Sequence, residues 1–337
     1  MQVTHFVGID VSKNNLDVSW VVNAQVLFHE TFENNSRKIK PKLICWMKKQ
    51  GSTFENTLFC LEFTGVYSLP LLHCLSQLGA LIWVESGVQI RRSLGMVRGK
   101  NDQVDSQRIA LYAYTHQHHV NLWKAPRAII EQLSALLSKR ALLVKMQKAL
   151  STSFNEQAEF LEPTVVKSIR VSTTKVVREL RKQIHQIESE VRKLISSDDK
   201  LNHLYQIITS ITGVGFVTAV HVITTTNEFI NFNNPKQYAC YCGVVPFEHT
   251  SGTSVRGKTR VSHYANKTMK SLLHLAALGA IKSPGELREY YDRKVAEGKN
   301  KMSVLNAIRN KLVLRIFSCV SQNRLYNKNF TLDLVLS

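Results

Sequence analysis

The sequence predicts an α/β N-terminal domain, a helical middle segment and a mainly α C-terminal domain. Short apolar runs separated by polar spacers dominate the first third. A heptad-spaced apolar seam runs through the middle, and apolar helical segments divided by Gly-rich turns fill the remainder. A chain of 337 residues, 44% of them hydrophobic, is too long for one small core and suits two or three. The domains expected from these shifts span 1–125, 126–200 and 201–337.

In the first third, Phe6-Val7-Gly8-Ile9 leads into Asp10 as a short strand. Leu16 to Val22 and Val26 to Phe32 follow as a second and a third, with short spacers as in a β-meander. Ile39 to Lys49 reads as a helix, and Leu58 to Leu61 as a fourth strand that ends at Glu62. Leu69 to Leu78 alternates as a helix and stops at Gly79; Ala80 to Val84 is a fifth strand. From Asp102 to about Tyr114 the pattern is helical again. Three adjacent strands followed by alternating helices and strands match an RNase-H-like sheet.

In the middle, Val177, Leu180, Ile184, Ile187, Val191 and Leu194 recur at steps of three and four. An earlier helix runs from about Ile130 to Glu159, and Pro163 marks the break between the two. The pair is expected to form either an antiparallel hairpin or a dimerising coiled coil, and since three heptads are few, an ordinary core-facing helix pair stands beside these two. The last third opens with Ile211-Thr212-Gly213-Val214-Gly215 between apolar segments. This resembles a helix-hairpin-helix turn, whose backbone N–H groups around Gly213 and Gly215 would meet a phosphate. A Gly/Ser/Thr/Arg loop is expected from Thr250 to Arg260, with helices beyond it to about Val320.

Charge narrows the function. Lys and Arg number 44 and Asp and Glu 25, a net charge of +19, which points to a polyanionic partner, nucleic acid. Basic residues recur along the whole chain instead of forming one amphipathic helix, which disfavours a membrane surface. No apolar run reaches a membrane span, and MQVTHFVGID lacks the regions of a signal peptide, so a cytoplasmic location is expected. Six cysteines form no CxxC pair and no zinc framework, and read as reduced thiols.

Against this basic background four acids stand out. Asp10 and Glu62 end strands, and Asp102 and Asp105 lie at i and i+3 on one helix face. Four clustered carboxylates would hold protons unless a cation joined them, and hard oxygen ligands select Mg²⁺ or Mn²⁺. Such ions clamp the attacking and leaving oxygens of a phosphodiester. Asp17 and Glu85 read as solvated. The histidines at 116, 118 and 119 read as a solvated helix end, and Trp83 and Trp123 as core. In the Ser251-bearing loop, Arg256, Lys258 and Arg260 suit phosphate binding, and Ser251, Thr253 and Ser254 are all candidate nucleophiles.

GIDVSKNNLDV, LEFTGVY and GKNDQVDSQRIA resemble the N-terminal DEDD domain of the insertion-sequence 110 family of transposases. TSITGVGFVTA and YACYCGVVPFEHTSGTSVRGKTRVS are similar to that family's C-terminal domain. The resemblance implies an RNase-H/RuvC-like domain, a coiled-coil linker and a mainly helical serine-bearing domain. It implies cleavage and rejoining of DNA in a bacterial-type, nucleoid-associated setting. A non-coding bridge RNA would pair with donor and target DNA. By the same motifs Asp10, Glu62, Asp102 and Asp105 become the metal-binding acids and Ser251 the nucleophile. Joining two duplexes calls for a homo-oligomer, a dimer or tetramer. The competing reading is a RuvC-like Holliday-junction or structure-selective nuclease, which would need the acids but not Ser251.

Overall fold

The computed structural model describes residues 3–93, 101–251, 255–261 and 265–327, those from 246 to 261 by their backbone. The chain divides into two compact units, Met1–Ala125 and Pro126–Ser337. The first unit contains β1 (His5–Val11), β2 (Asn15–Val22), β3 (Gln25–Glu33), α1 (Ser36–Gln50), β4 (Thr57–Glu62), α2 (Leu69–Gln77), β5 (Leu81–Glu85), α3 (Gly87–Ser93) and α4 (Asp102–Thr115). The sheet order is β3-β2-β1-β4-β5. The β1–β2 and β2–β3 pairs are antiparallel, and β1–β4 and β4–β5 are parallel. This is the RNase-H-like topology that the strand pattern predicts. The short helix α3 has no counterpart in the sequence reading.

The two-residue period of a strand sends alternate side chains to opposite faces of the sheet. Val7, Ile9, Val18, Trp20, Phe59, Leu61 and Ile82 pack with Ile39, Leu43, Trp46 and Leu71 of α1 and α2. Phe6, Val21, Leu58, Cys60, Leu81 and Trp83 pack with Ile109, Ala110, Tyr112 and Ala113 of α4. By the same parity Gly8, Asp10, Asp17, Ser19, Glu62 and Glu85 belong to the α4 face.

The second unit begins with α5 (Ala128–Ala158) and α6 (Pro163–Ser196). They form an antiparallel hairpin: Arg140 meets Glu188 at 2.7 Å, while Arg170 lies 5.7 Å over the Phe154 ring. The seam residues Ile187 and Val191 share one core with Ile130, Leu133 and Leu137 of α5. Of the arrangements expected for these helices, the intrachain hairpin is the one present, and much of the heptad seam is occupied within the chain. Arg127, just before α5, ties the unit together through Asp198 at 2.6 Å and Glu228 at 2.8 Å.

The chain continues through α7 (Asp199–Thr209), α8 (Phe216–Thr226), α9 (Pro235–Tyr241), β6 (Pro246–Ser251), β7 (Val255–Val261), α10 (Lys267–Lys282), α11 (Glu286–Ala296) and α12 (Lys301–Ser321). The segment expected as a loop from Thr250 to Arg260 is, in its described part, an antiparallel hairpin. Val255, Thr259 and Val261 are β-branched and favour strand pairing despite the Gly- and Ser-rich composition around them. Thr253 and Ser254 lie outside the described residues. No helix among the described residues is long and apolar enough to cross a membrane.

Between α7 and α8, Gly213 has φ +93°, a conformation that favours glycine. A Cβ there would run into the Ala276 carbonyl oxygen and the Ala280 side chain of α10. The turn is thus seated on α10 by a missing side chain. Gly213→Ala combines left-handed strain with a backbone clash and should cost about 2 kcal/mol or more of stability. Urea denaturation measures it; an unchanged midpoint would contradict the packing described.

Candidate active site

Asp10 is the next-to-last residue of β1 and is half-buried on the α4 face. Its carboxyl pKa is pushed up to about 6, first by burial and then by Asp102, Asp105, Asp17 and Glu62. The fold therefore brings all four sequence-predicted acids into one electrostatic neighbourhood. Asp17 joins them because it is the register partner of Asp10 across the β1–β2 pair. Glu62 and Glu85 are likewise partners at the ends of β4 and β5.

Helix α4 carries Asp102 and Asp105 in its first turn, where acids suit the positive end of the helix dipole. Asn101 caps it, accepting a hydrogen bond from the Val104 N–H at 2.7 Å. The helix lies directly on β1: a Cβ at Gly8 would strike the Ser106 carbonyl and the Ala110 backbone. Ser19 and Ser106, both fully buried, share a hydroxyl hydrogen bond of 2.8 Å. Ser106 also donates to the Gln103 carbonyl at 2.8 Å, so the donor in the Ser19–Ser106 bond is Ser19. This relay ties the turn that bears both acids to β2. Farther along α4, the Tyr112 hydroxyl donates to Glu85 at 3.2 Å.

Two acids are engaged elsewhere. Asp105 accepts from Arg108 at 2.9 Å. The Glu62 carboxylate lies over Gly87, in the space a side chain there would fill. Asp17, expected to be solvated, is buried, and Glu85, expected likewise, is half-exposed and hydrogen-bonded. Asp17 is 7% exposed and accepts from Thr31 at 2.5 Å, with His29 at 3.3 Å. Glu85 accepts from the Ser86 N–H at 2.7 Å as well as from Tyr112. Their parity with Asp10 and Glu62 is the sequence signal that would have placed them on this face. Gly8, Ser19 and Ser106 escaped the sequence reading because nothing in the sequence pairs β2 with α4.

An all-oxygen donor set around an Asp10 whose protonation is raised fits a hard divalent cation. Among the described residues no three of His, Cys, Asp or Glu yet enclose a metal-sized space. Trp83 is buried and Trp123 packs on the α1/α2 core, so neither is a free stacking surface. His116 stacks on Tyr112 with ring centroids 4.4 Å apart, where a solvated helix end was expected. Directly after Glu62, Phe63, Val66 and Tyr67 are exposed. Asn34 anchors that loop by donating to the Tyr67 carbonyl at 2.8 Å.

In the second unit, Ser251 is the last residue of β6 and the register partner of Val255. Arg256, Lys258 and Arg260 lie on β7, with Arg256 opposite Thr250. Gly215 precedes α8 in extended conformation, and the space beside it is open. Arg192 lies 4.1 Å over the ring of the neighbouring Phe216.

The family model described as "Transposase IS116/IS110/IS902 family" matches residues 205–292, and the DEDD transposase model of IS110 type matches residues 7–162. The chain belongs to the IS110 family of transposases. It is a DNA-cleaving and DNA-joining enzyme. The transposase is 26% identical over 333 residues to the pilin gene-inverting protein of Moraxella bovis, covering 96% of this chain and 98% of that one. It is 25% identical over 213 residues to the transposase for insertion sequence element IS1111A of Coxiella burnetii, covering 56% of each. Thermus thermophilus RuvC in complex with a Holliday junction substrate superposes with a TM-score of 0.30 and 11% identity, over 36% of this chain and 99% of that one. The strand order of the first unit, and not that weak superposition, defines its fold.

Asp10 holds its proton more tightly in the folded transposase than in the unfolded chain, whose ordinary value is 3.8. The stability this contributes is full below about pH 4 and is lost as pH rises through about 6. In EDTA, Asp10→Asn should therefore raise the thermal midpoint at about pH 7.5 relative to wild type and leave it nearly unchanged at about pH 4. Equal shifts at both pH values would contradict the raised protonation of Asp10 that burial and the neighbouring acids produce.

Proposed function

We propose that the transposase cuts and rejoins DNA with a divalent-metal site on Asp10, Glu62, Asp102 and Asp105, and with Ser251 as nucleophile. The observation that carries the metal reading is the convergence of these carboxylates on one sheet face, with Asp10 protonated more readily than an ordinary aspartate. Bound Mg²⁺ or Mn²⁺ would supply charge neutralisation and Lewis acidity to a phosphodiester.

Ser251 supplies the covalent step. Its Oγ forms a bond to phosphorus while one P–O bond of the DNA strand breaks. The departing strand end leaves as a hydroxyl, taking up one proton as the serine gives one up. The reverse reaction with another strand end rejoins DNA without an external energy source, because the ester bond is conserved. Arg256, Lys258 and Arg260, on the strand paired with β6, suit the phosphate's charge. The N–H groups around Gly213 and Gly215 are a further phosphate contact in this reading, supported by the open space beside Gly215. Gene inversion, after which the Moraxella relatives are named, also requires that cut ends be rejoined. This favours rejoining over simple hydrolysis by a junction nuclease.

A non-coding guide RNA is the second partner in this reading. The net charge of +19 supports more than one polyanion, and the family motifs supply the guide. Exposed Phe63, Val66 and Tyr67, next to Glu62, offer surface to unstacked bases. A dimer or tetramer would hold the two duplexes. Exposed Leu142, Met146 and Leu150 on α5 and Phe160 beyond it support association through the far part of the helical hairpin.

Asp10→Asn, Glu62→Gln, Asp102→Asn and Asp105→Asn should each abolish strand cleavage and leave nucleic-acid binding largely intact. Ser251→Ala should also bind, yet form no protein–DNA adduct when the reaction is denatured and the attached peptide is sought by mass spectrometry. Normal cleavage in EDTA contradicts the metal. An adduct on another residue contradicts Ser251. Sequence-specific recombination after RNase treatment contradicts the guide.

A further inference from the structure

Arg309 of α12 is only 6% exposed, and among the described residues it is the only buried Lys or Arg. A buried charge is costly unless it is paired and hydrogen-bonded. Among the described residues the other buried charges are answered: Glu228 has Arg127 at 2.8 Å and Lys200 at 3.4 Å, and Asp17 accepts from Thr31 at 2.5 Å. Arg309 meets no carboxylate among the described residues. Its Nη1 makes a long contact of 3.4 Å to the Asn306 Oδ1, and its Nε is buried with no acceptor.

The remaining contact is informative about polarity. Arg309 Nη2 lies 2.9 Å from His274 Nδ1 on α10. A guanidinium can only donate, so His274 Nδ1 accepts and the ring is neutral, with its proton on Nε2. Burial and the adjacent guanidinium both hold His274 below its ordinary protonation range. The pair therefore presents N–H donors and no acceptor. Lys270 stands one turn before His274 on α10, on the same side of the helix. The cluster adjoins the foot of the β6–β7 hairpin, because Asn306 Nδ2 donates to the Val244 carbonyl at 2.9 Å, two residues before β6. A buried guanidinium with a half-buried neutral imidazole, both offering N–H groups, beside the strand that ends in Ser251 is complementary to an anion.

We propose that Arg309 and His274 form a binding site for a backbone phosphate of the nucleic acid that engages the β6–β7 hairpin. A phosphate oxygen would accept from Arg309 Nη N–H groups beyond the two that meet Asn306 and His274, and guanidinium geometry suits two-point contact with phosphate. The proposal rests on the chain's binding of DNA or RNA, and not on the metal or serine assignments, so it stands or falls separately from them.

The test uses the full chain and Arg309→Met, which keeps bulk and removes charge, with Arg309→Gln as a second variant. Melting is followed without nucleic acid. Binding of a labelled DNA duplex, and separately of a structured RNA, is measured over a series of salt concentrations. Arg309→Met should melt at or above the wild-type temperature, because a buried charge that meets no carboxylate among the described residues is removed. Its affinity should fall by about 10-fold, and its salt slope should become shallower by about one. A slope change with DNA alone identifies DNA as the occupant, and with RNA alone identifies RNA. Unchanged affinity and slope with both, or failure of both variants to fold, would overturn the proposal and make Arg309 a structural residue.

Discussion

Carboxylates gathered on one face of a sheet repel each other, and the first unit is built to hold them together regardless. Asp10 feels Asp102, Asp105, Asp17 and Glu62 at once. What opposes the repulsion is the seat of α4. Gly8 removes the side chain that would lift the helix from β1, and the Ser19–Ser106–Gln103 relay fixes its first turns. Apolar contacts from Ile109, Ala110 and Ala113 supply most of the attraction but little direction. The buried hydroxyl pair supplies register, since leaving either Ser19 or Ser106 unpaired costs about 1–3 kcal/mol. Tyr112 and Glu85 repeat this tie farther along the helix.

The second unit follows a different rule. Its helices share one continuous apolar core, and its charges are tied at the edges. Arg127 joins the start of α5 to Asp198, which caps α7, and to Glu228, which follows α8. Glu228 is buried, so this is a fully engaged charge pair within the scaffold. Arg309 is the exception to that pattern, and it lies beside the hairpin that carries the serine.

The sheet of the first unit was legible because strands keep a two-residue period and their spacers are short. Each of its five strands lies within a residue or two of where the apolar runs place it. The acids were legible by position at strand ends and helix spacing. Their unequal engagement was not: Asp105 turns to Arg108 one turn on along α4, and Glu62 lies over Gly87, which is remote from it in sequence. Asp17 was misread as solvated for the same reason: its partners Thr31 and His29 come from β3. The β6–β7 hairpin was hidden by Gly and Ser, whose loop preference outweighs a few β-branched residues in a reading by composition. The heptad seam was found correctly, yet a seam alone cannot say whether its partner is α5 or a second chain.

The central claim is that one metal centre forms where the α4 face of the sheet meets the first turn of α4. Anomalous diffraction from crystals grown with Mn²⁺ tests it most directly. The account predicts a peak bound by Asp10 together with Asp102 or Asp105, with Glu62 swung off Gly87 toward it. A peak elsewhere, or Asp10 left without metal at saturating Mn²⁺, would contradict it.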